Sequence, residues 1–147
     1  MRIPMGRPGA IACIAGNGAA PCLYGTVKFY QAGKNVLVVA DICGLPNSPT
    51  DVFALHIHAG YECDGENFSK TGGHYNPAQE QHPKHAGDLP PLFSCNGRAF
   101  LAVLTGRFCL KNVIGKTVVI HSGPDDFTTQ PAGNAGNKIA CGVIVQA

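Results

Sequence analysis

The sequence predicts an all-β fold, a sandwich or barrel of seven or eight short strands. Three observations predict it. Apolar residues alternate with polar ones over short runs. Glycine (19) and proline (11) punctuate those runs. No stretch repeats apolar residues at helical spacing over any length. The first strand is IACIAG (11–16). YGTVKFYQ (24–31) follows, with Val27 and Phe29 on one face, and NVLVVADIC (35–43) comes after the short connection AGK, so the two form a hairpin. DVFALHIH (51–58) is the next strand, and SCNGRAFLAVL (94–104) carries a hairpin signal at Asn96-Gly97. KTVVIH (116–121) and CGVIVQA (141–147) close the set. Many short strands with regular turn signals fit a sandwich or barrel. Two segments fit no strand, from Ala59 to about Pro91 and from Ser122 to Lys138. Structureless loops of that length in a compact domain are usually functional.

Composition narrows the class of function. A chain of 147 residues is expected to fold as a single domain over 1–147, and 45% apolar residues make it globular. Only 14% of residues are charged and the net charge is +2, without a Lys/Arg block, so nucleic acid is not an expected partner. No apolar run reaches the length of a membrane span, so no membrane is expected either. The N-terminal stretch MRIPMGRPGAIACIAGNG is a poor signal peptide, which favours the cytoplasm slightly over an extracytoplasmic location. Seven cysteines, at 13, 22, 43, 63, 95, 109 and 141, contain no Cys-x-x-Cys and leave at least one unpaired within a monomer.

The histidines carry the chemistry. In DVFALHIH, Phe53, Leu55 and Ile57 share one face and Ala54, His56 and His58 the other, because side chains alternate along a strand. Two imidazoles on one face can reach one ion. His121 ends a strand on the face of Thr117 and Val119, opposite Val118 and Ile120. HPKHAGD (82–88) offers His82, His85 and Asp88 at even spacing, and His74 follows a flexible Gly72-Gly73 pair. All six histidines therefore sit in or beside clusters, which points to metal. Imidazole suits zinc and copper, and carboxylate tolerates zinc. Six histidines and Asp88 make seven ligands, whereas two four-coordinate sites need eight. One histidine bound through both ring nitrogens closes the gap, and His74 is placed to do so.

These motifs resemble a known family. HIH (56–58), GGHYNP (72–77), HAGDL (85–89), VIHSGPDD (119–126) and GNAGNKIACGVI (133–144) are similar to those of copper–zinc superoxide dismutases, over about residues 10–147. The resemblance implies an eight-stranded Greek-key β-barrel with two long functional loops, and superoxide as substrate. It implies copper on His56, His58, His74 and His121, and zinc on His74, His82, His85 and Asp88. It implies that Asp125 hydrogen-bonds His56 and His82, that Cys63 and Cys141 form a disulfide, and that Leu45 plugs one end of the barrel. His74 becomes a proton donor, and a homodimer is the family's common state. An oxidising compartment, which a disulfide favours, stands against the cytoplasm favoured by the N-terminus. Three departures bear on rate and substrate guidance. Lys138 stands where the family has an arginine beside copper, the loop after His121 is short and poor in charge, and no acidic residue follows His58 directly. The rival readings are a non-catalytic copper/zinc-binding domain, a zinc hydrolase, and a protein with zinc in both sites. A lost copper ligand would favour the first, but all four are present.

Overall fold

The computed structural model describes residues 6–147; residues 1–5, the start of the N-terminal stretch that reads as a poor signal peptide, lie outside the described residues. Its strands are β1 (Ala10–Gly16), β2 (Tyr24–Ala32), β3 (Asn35–Cys43), β4 (Val52–Phe53), β5 (Leu55–His58), β6 (Leu92–Phe93), β7 (Ala99–Thr105), β8 (Thr117–His121) and β9 (Lys138–Gln146). A short 3-10 segment, Glu66–Thr71, lies in the first long loop, and a single helical turn, α1 (Leu110–Val113), precedes β8. Seven strands form one curled antiparallel sheet in the order β5-β8-β9-β1-β2-β3-β7, while β4 and β6 pair with each other. The count thus approximates the expected eight, with β4 and β6 a separate two-residue pair beside the curled sheet.

Local chemistry explains the elements. The two-residue connection Gly33-Lys34 closes the β2–β3 hairpin, with Gly33 at φ +62°, a conformation glycine adopts at no steric cost. Inward residues of the curled sheet, among them Val27, Phe29, Val38, Ile42, Leu55 and Ile120, form one buried core. Each such side chain contributes about 1.5–3 kcal/mol on burial. Leu45 joins that core at one end, with its N–H bonded to Gly97 O.

Two expectations are refined. The run 51–58 is not one strand, because Ala54 exchanges partners there. Its N–H donates to Gly123 O and its carbonyl accepts from His121 N–H. Before it the chain pairs with β6, and after it with β8. The Asn96-Gly97 turn forms with both residues at positive φ, but its hairpin is one rung, Cys95 with Arg98. The flanking strands then part, β6 to β4 and β7 to β3.

The last two strands pair with an irregularity. Val119 lies opposite Cys141 and Ile120 opposite Ala140, but His121 lies opposite Lys138, so β9 holds one residue more than β8 here. Ile139 and Ala140 are both buried in the core.

Cys63 and Cys141 form a disulfide with Cα atoms 5.8 Å apart, joining the first long loop to β9 across 78 positions. Cys13, Cys22, Cys43, Cys95 and Cys109 are free thiols. Cross-links over such spans typically contribute about 2–5 kcal/mol. Cys63→Ser should therefore lower stability by about that amount in denaturant unfolding and speed the loss of zinc to a chelator. Mass mapping that finds both thiols free in the oxidised protein would remove the basis for this expectation.

Candidate metal centre

The first long loop folds back along β5. Ala59 N–H bonds Gly73 O, Tyr75 N–H bonds Ile57 O, and Ile57 N–H bonds Gly87 O. Gly87 permits the last contact, since a Cβ there would stand 2.2 Å from Ile57 O. This close approach sets His74 beside His58 and Asp88 beside His56 as isolated β-bridges. On the other edge of β5, His56 pairs with Val119 and His58 with Thr117, so the face of β8 that carries His121 continues the histidine face. The apolar face of β5 thus builds the core while its histidine face lies outside the barrel wall. The loops cover it, leaving His56 fully buried and His58 at 2% exposure.

Two groups of four potential ligands result, His56–His58–His74–His121 and His74–His82–His85–Asp88, with donor atoms in each within 4.8 Å of one another. His74 belongs to both. Its Nδ1 stands 2.8 Å from Asp88 Oδ1 and 3.1 Å from His85 Nδ1, while its Nε2 is buried with no hydrogen-bond partner. The outward nitrogens of other rings are used. His56 Nε2 and His82 Nε2 donate to the two oxygens of Asp125 at 2.8 and 2.7 Å. His58 Nδ1 donates to Gly72 O at 2.7 Å, and His121 Nδ1 to Gly136 O at 3.1 Å. Those bonds fix each tautomer and leave the second nitrogen as a bare lone pair. His56 Nδ1 and His82 Nδ1 have no hydrogen-bond partner, and His58 Nε2 faces His121 Nε2 at 3.2 Å. Unsatisfied buried polar atoms cost about 1–3 kcal/mol each. A cation among these lone pairs relieves that cost, so the donor set fits copper and zinc. The further cluster His56–His82–Asp125 is not a third metal group, because its ring nitrogens are spent as donors to the carboxylate.

Burial sets the protonation. Desolvation lowers His58 to a pKa of about 2 and His121 to about 4, and it also lowers His56 and His85. Burial works against the charge on Asp125, but hydrogen bonds from His56 and His82 outweigh it and hold the carboxyl well below its usual range. Asp88 is lowered against its own desolvation by the bond from His74 and the neighbouring imidazoles. Neutral imidazoles beside ionised carboxylates are the forms that bind metal.

The first group opens to solvent through a cleft of about 450 Å³, walled by His58, Gly72, Asn76, His121, Pro131 and Lys138. Among the described residues, Lys138 is the one Lys, Arg, Asp or Glu lining it. Its Nζ donates to Thr71 Oγ1 at 2.8 Å and Gly72 O at 3.0 Å, and it meets no carboxylate there. The bulge in β9 sets it opposite His121. Desolvation alone lowers its pKa. Three supporting residues escape a reading of the sequence: Thr71, whose hydroxyl anchors Lys138, and Arg107 and Gln130, which hold the backbone of the 82–85 turn. Nothing local marks them, since their partners lie 22 to 67 positions away.

Fold and site together define a β-barrel metalloprotein whose two four-ligand groups share one imidazole. The profile of the copper/zinc superoxide dismutase family matches residues 23–144. A Cu-Zn superoxide dismutase of Aquifex aeolicus is 38% identical over 135 residues, covering 82% of this chain and 78% of the relative. One from Legionella pneumophila is 35% identical over 135 residues (86% and 81%), and one from Photobacterium leiognathi 34% over 137 (82% and 78%). The chain belongs to the copper/zinc superoxide dismutase family.

Proposed function

We infer that this protein is a superoxide dismutase in which His56 Nδ1, His58 Nε2, His74 Nε2 and His121 Nε2 hold copper, and His74 Nδ1, His82 Nδ1, His85 Nδ1 and Asp88 hold zinc. The observation that carries the assignment is His74, whose two ring nitrogens point into different ligand groups. The reaction takes two superoxide anions and two protons to one dioxygen and one hydrogen peroxide. Bound copper supplies the one-electron oxidation and reduction, which zinc, without a second accessible oxidation state, does not.

The chain's own groups do the rest. Lys138, held by Thr71 and Gly72, presents a fixed positive charge at the cleft and draws in the anion. Pro131 and Gly72 narrow the approach. His74 Nε2, which would hold copper in one state of the cycle, would in the other be free of it and carry a proton for the departing peroxide. Asp125 keeps His56 and His82 in one tautomer and one orientation. We read residues 1–147 as one domain around this centre and the molecule as a homodimer, for which exposed Phe93 and Phe100 on β6 and β7 leave apolar surface. Metal analysis after loading should give one copper and one zinc per chain, and the loaded protein should dismutate superoxide while the metal-free protein does not. A protein that takes up both metals and leaves superoxide unconsumed overturns the reading.

A further inference from the structure

The second long loop is tied to His82 twice. Asp125 takes the ring. Gln130 takes the main chain: its Oε1 accepts His82 N–H at 2.9 Å and its Nε2 donates to His82 O at 2.8 Å. The amide thus copies the paired bonds that one strand residue offers another, across 48 positions of sequence. Only one orientation of the amide satisfies both partners, so its oxygen and nitrogen are assigned by the network. A further bond from Nε2 to Thr128 O at 3.2 Å keeps it in place. From the other side, Arg107 Nη1 donates to Pro83 O at 2.7 Å and His85 O at 3.2 Å. The backbone of the turn is gripped on both sides without using the ring nitrogens at its centre.

Gln130 leads directly into the cleft wall. Pro131 and Ala132 are the next two residues, and both line the cleft above His58 and His121. Asp125 meets the same stretch one residue later, its carboxylate packed against Gly133, while Gln130 holds the residues immediately before Pro131 and Ala132. Resting on the assignment of His82 to zinc, we propose that Gln130 is a positioning residue that makes the cleft wall at Pro131 and Ala132 depend on zinc at His82. Zinc fixes His82, the His82 backbone fixes the Gln130 amide, and the amide fixes the wall. Coupling of this kind is reciprocal, so loosening the wall weakens zinc by the same factor.

Amide hydrogen exchange on the full chain, zinc-free and zinc-loaded, tests this in wild type, Q130A and Q130E. In wild type, zinc should slow exchange at Ala132 through Gly136. In Q130A the slowing at these amides should shrink by about tenfold, while that at Phe127, whose N–H is held by Asp125, persists. Zinc affinity, measured by chelator competition, should fall by a similar factor. Q130E keeps an acceptor for His82 N–H but sets a carboxylate against His82 O, so it should lose at least as much. Equal zinc-dependent slowing in Q130A and wild type overturns the proposal. So does a loss that is the same with and without zinc, which marks a purely structural role. Failure of wild type to bind zinc, or zinc binding that persists undiminished in D88N, overturns the underlying ligand assignment instead.

Discussion

Replacing His74 by glutamine should release both metals. No other side chain belongs to both ligand groups, and glutamine cannot supply donors in two directions as an imidazole does. Removing a partner that merely supports a ligand typically costs about 10–100-fold in metal affinity. Loss of a direct ligand should exceed that on each side, and dismutation should fall to near the uncatalysed level. His85→Ala should by contrast affect zinc first, and His121→Ala copper first. Metal content after dialysis against a chelator checks all three. Wild-type protein loaded with copper in both groups should further show magnetic coupling through the shared ring. If His74→Gln retains zinc at wild-type affinity, or the doubly copper-loaded form gives two independent signals, the ring is not shared.

Lys138→Glu should slow capture of superoxide severalfold or more while leaving metal content unchanged. A cation in a narrow cleft with low-dielectric walls raises the local anion concentration, and steering of this kind is worth about 10–10³-fold in on-rate. The net charge of +2 leaves little long-range field, and Lys138 is the sole charged side chain among the described residues lining the cleft. Thr71 and Gly72 hold its Nζ in place, so the charge is fixed as well as present. Lys138→Arg, which keeps the charge and can donate to both partners, should preserve or raise the rate. The wild-type rate should fall as salt shortens the screening length, about 8 Å near physiological ionic strength. The glutamate variant should lose or invert that dependence. Identical rates and salt dependence in the three proteins would show that Lys138 does not guide the anion.

Much of this architecture is legible in the sequence because strand parity and imidazole chemistry are both local signals. His56 and His58 share a face because two residues separate them, and the structure keeps them there. The pairing of His74 with two clusters follows from counting ligands, and the structure brings those clusters together around it. The exchange of partners at Ala54 is invisible, since it depends on Gly123 and His121, 67 or more positions away. The single-rung hairpin at Asn96-Gly97 shows the limit of a turn signal: it fixes the reversal, while distant strands decide how far pairing extends. The disulfide is legible only through family likeness, since seven cysteines alone leave many pairings open. Gln130, Thr71 and Arg107 read as ordinary surface residues because amide, hydroxyl and guanidinium groups gain a role only from the partner they meet.

The extra residue in β9 has a mechanical consequence. In a regular strand, side chains three positions apart point to opposite faces. Ile139 and Ala140 both turn into the core, so Lys138 and Cys141 emerge on the same outer face. Each grips the first long loop there, Lys138 at Thr71 and Gly72 and Cys141 at Cys63. A segment fastened at one point can swivel about it; fastened at two points on one rigid strand, it cannot. Reducing the disulfide would leave the lysine as a hinge pin, and removing the lysine contacts would leave the disulfide as one. In either case the freedom gained belongs to the arch between Cys63 and Gly72, while the backbone on both sides of His74 stays bonded along β5 through Ala59–Gly73 and Tyr75–Ile57.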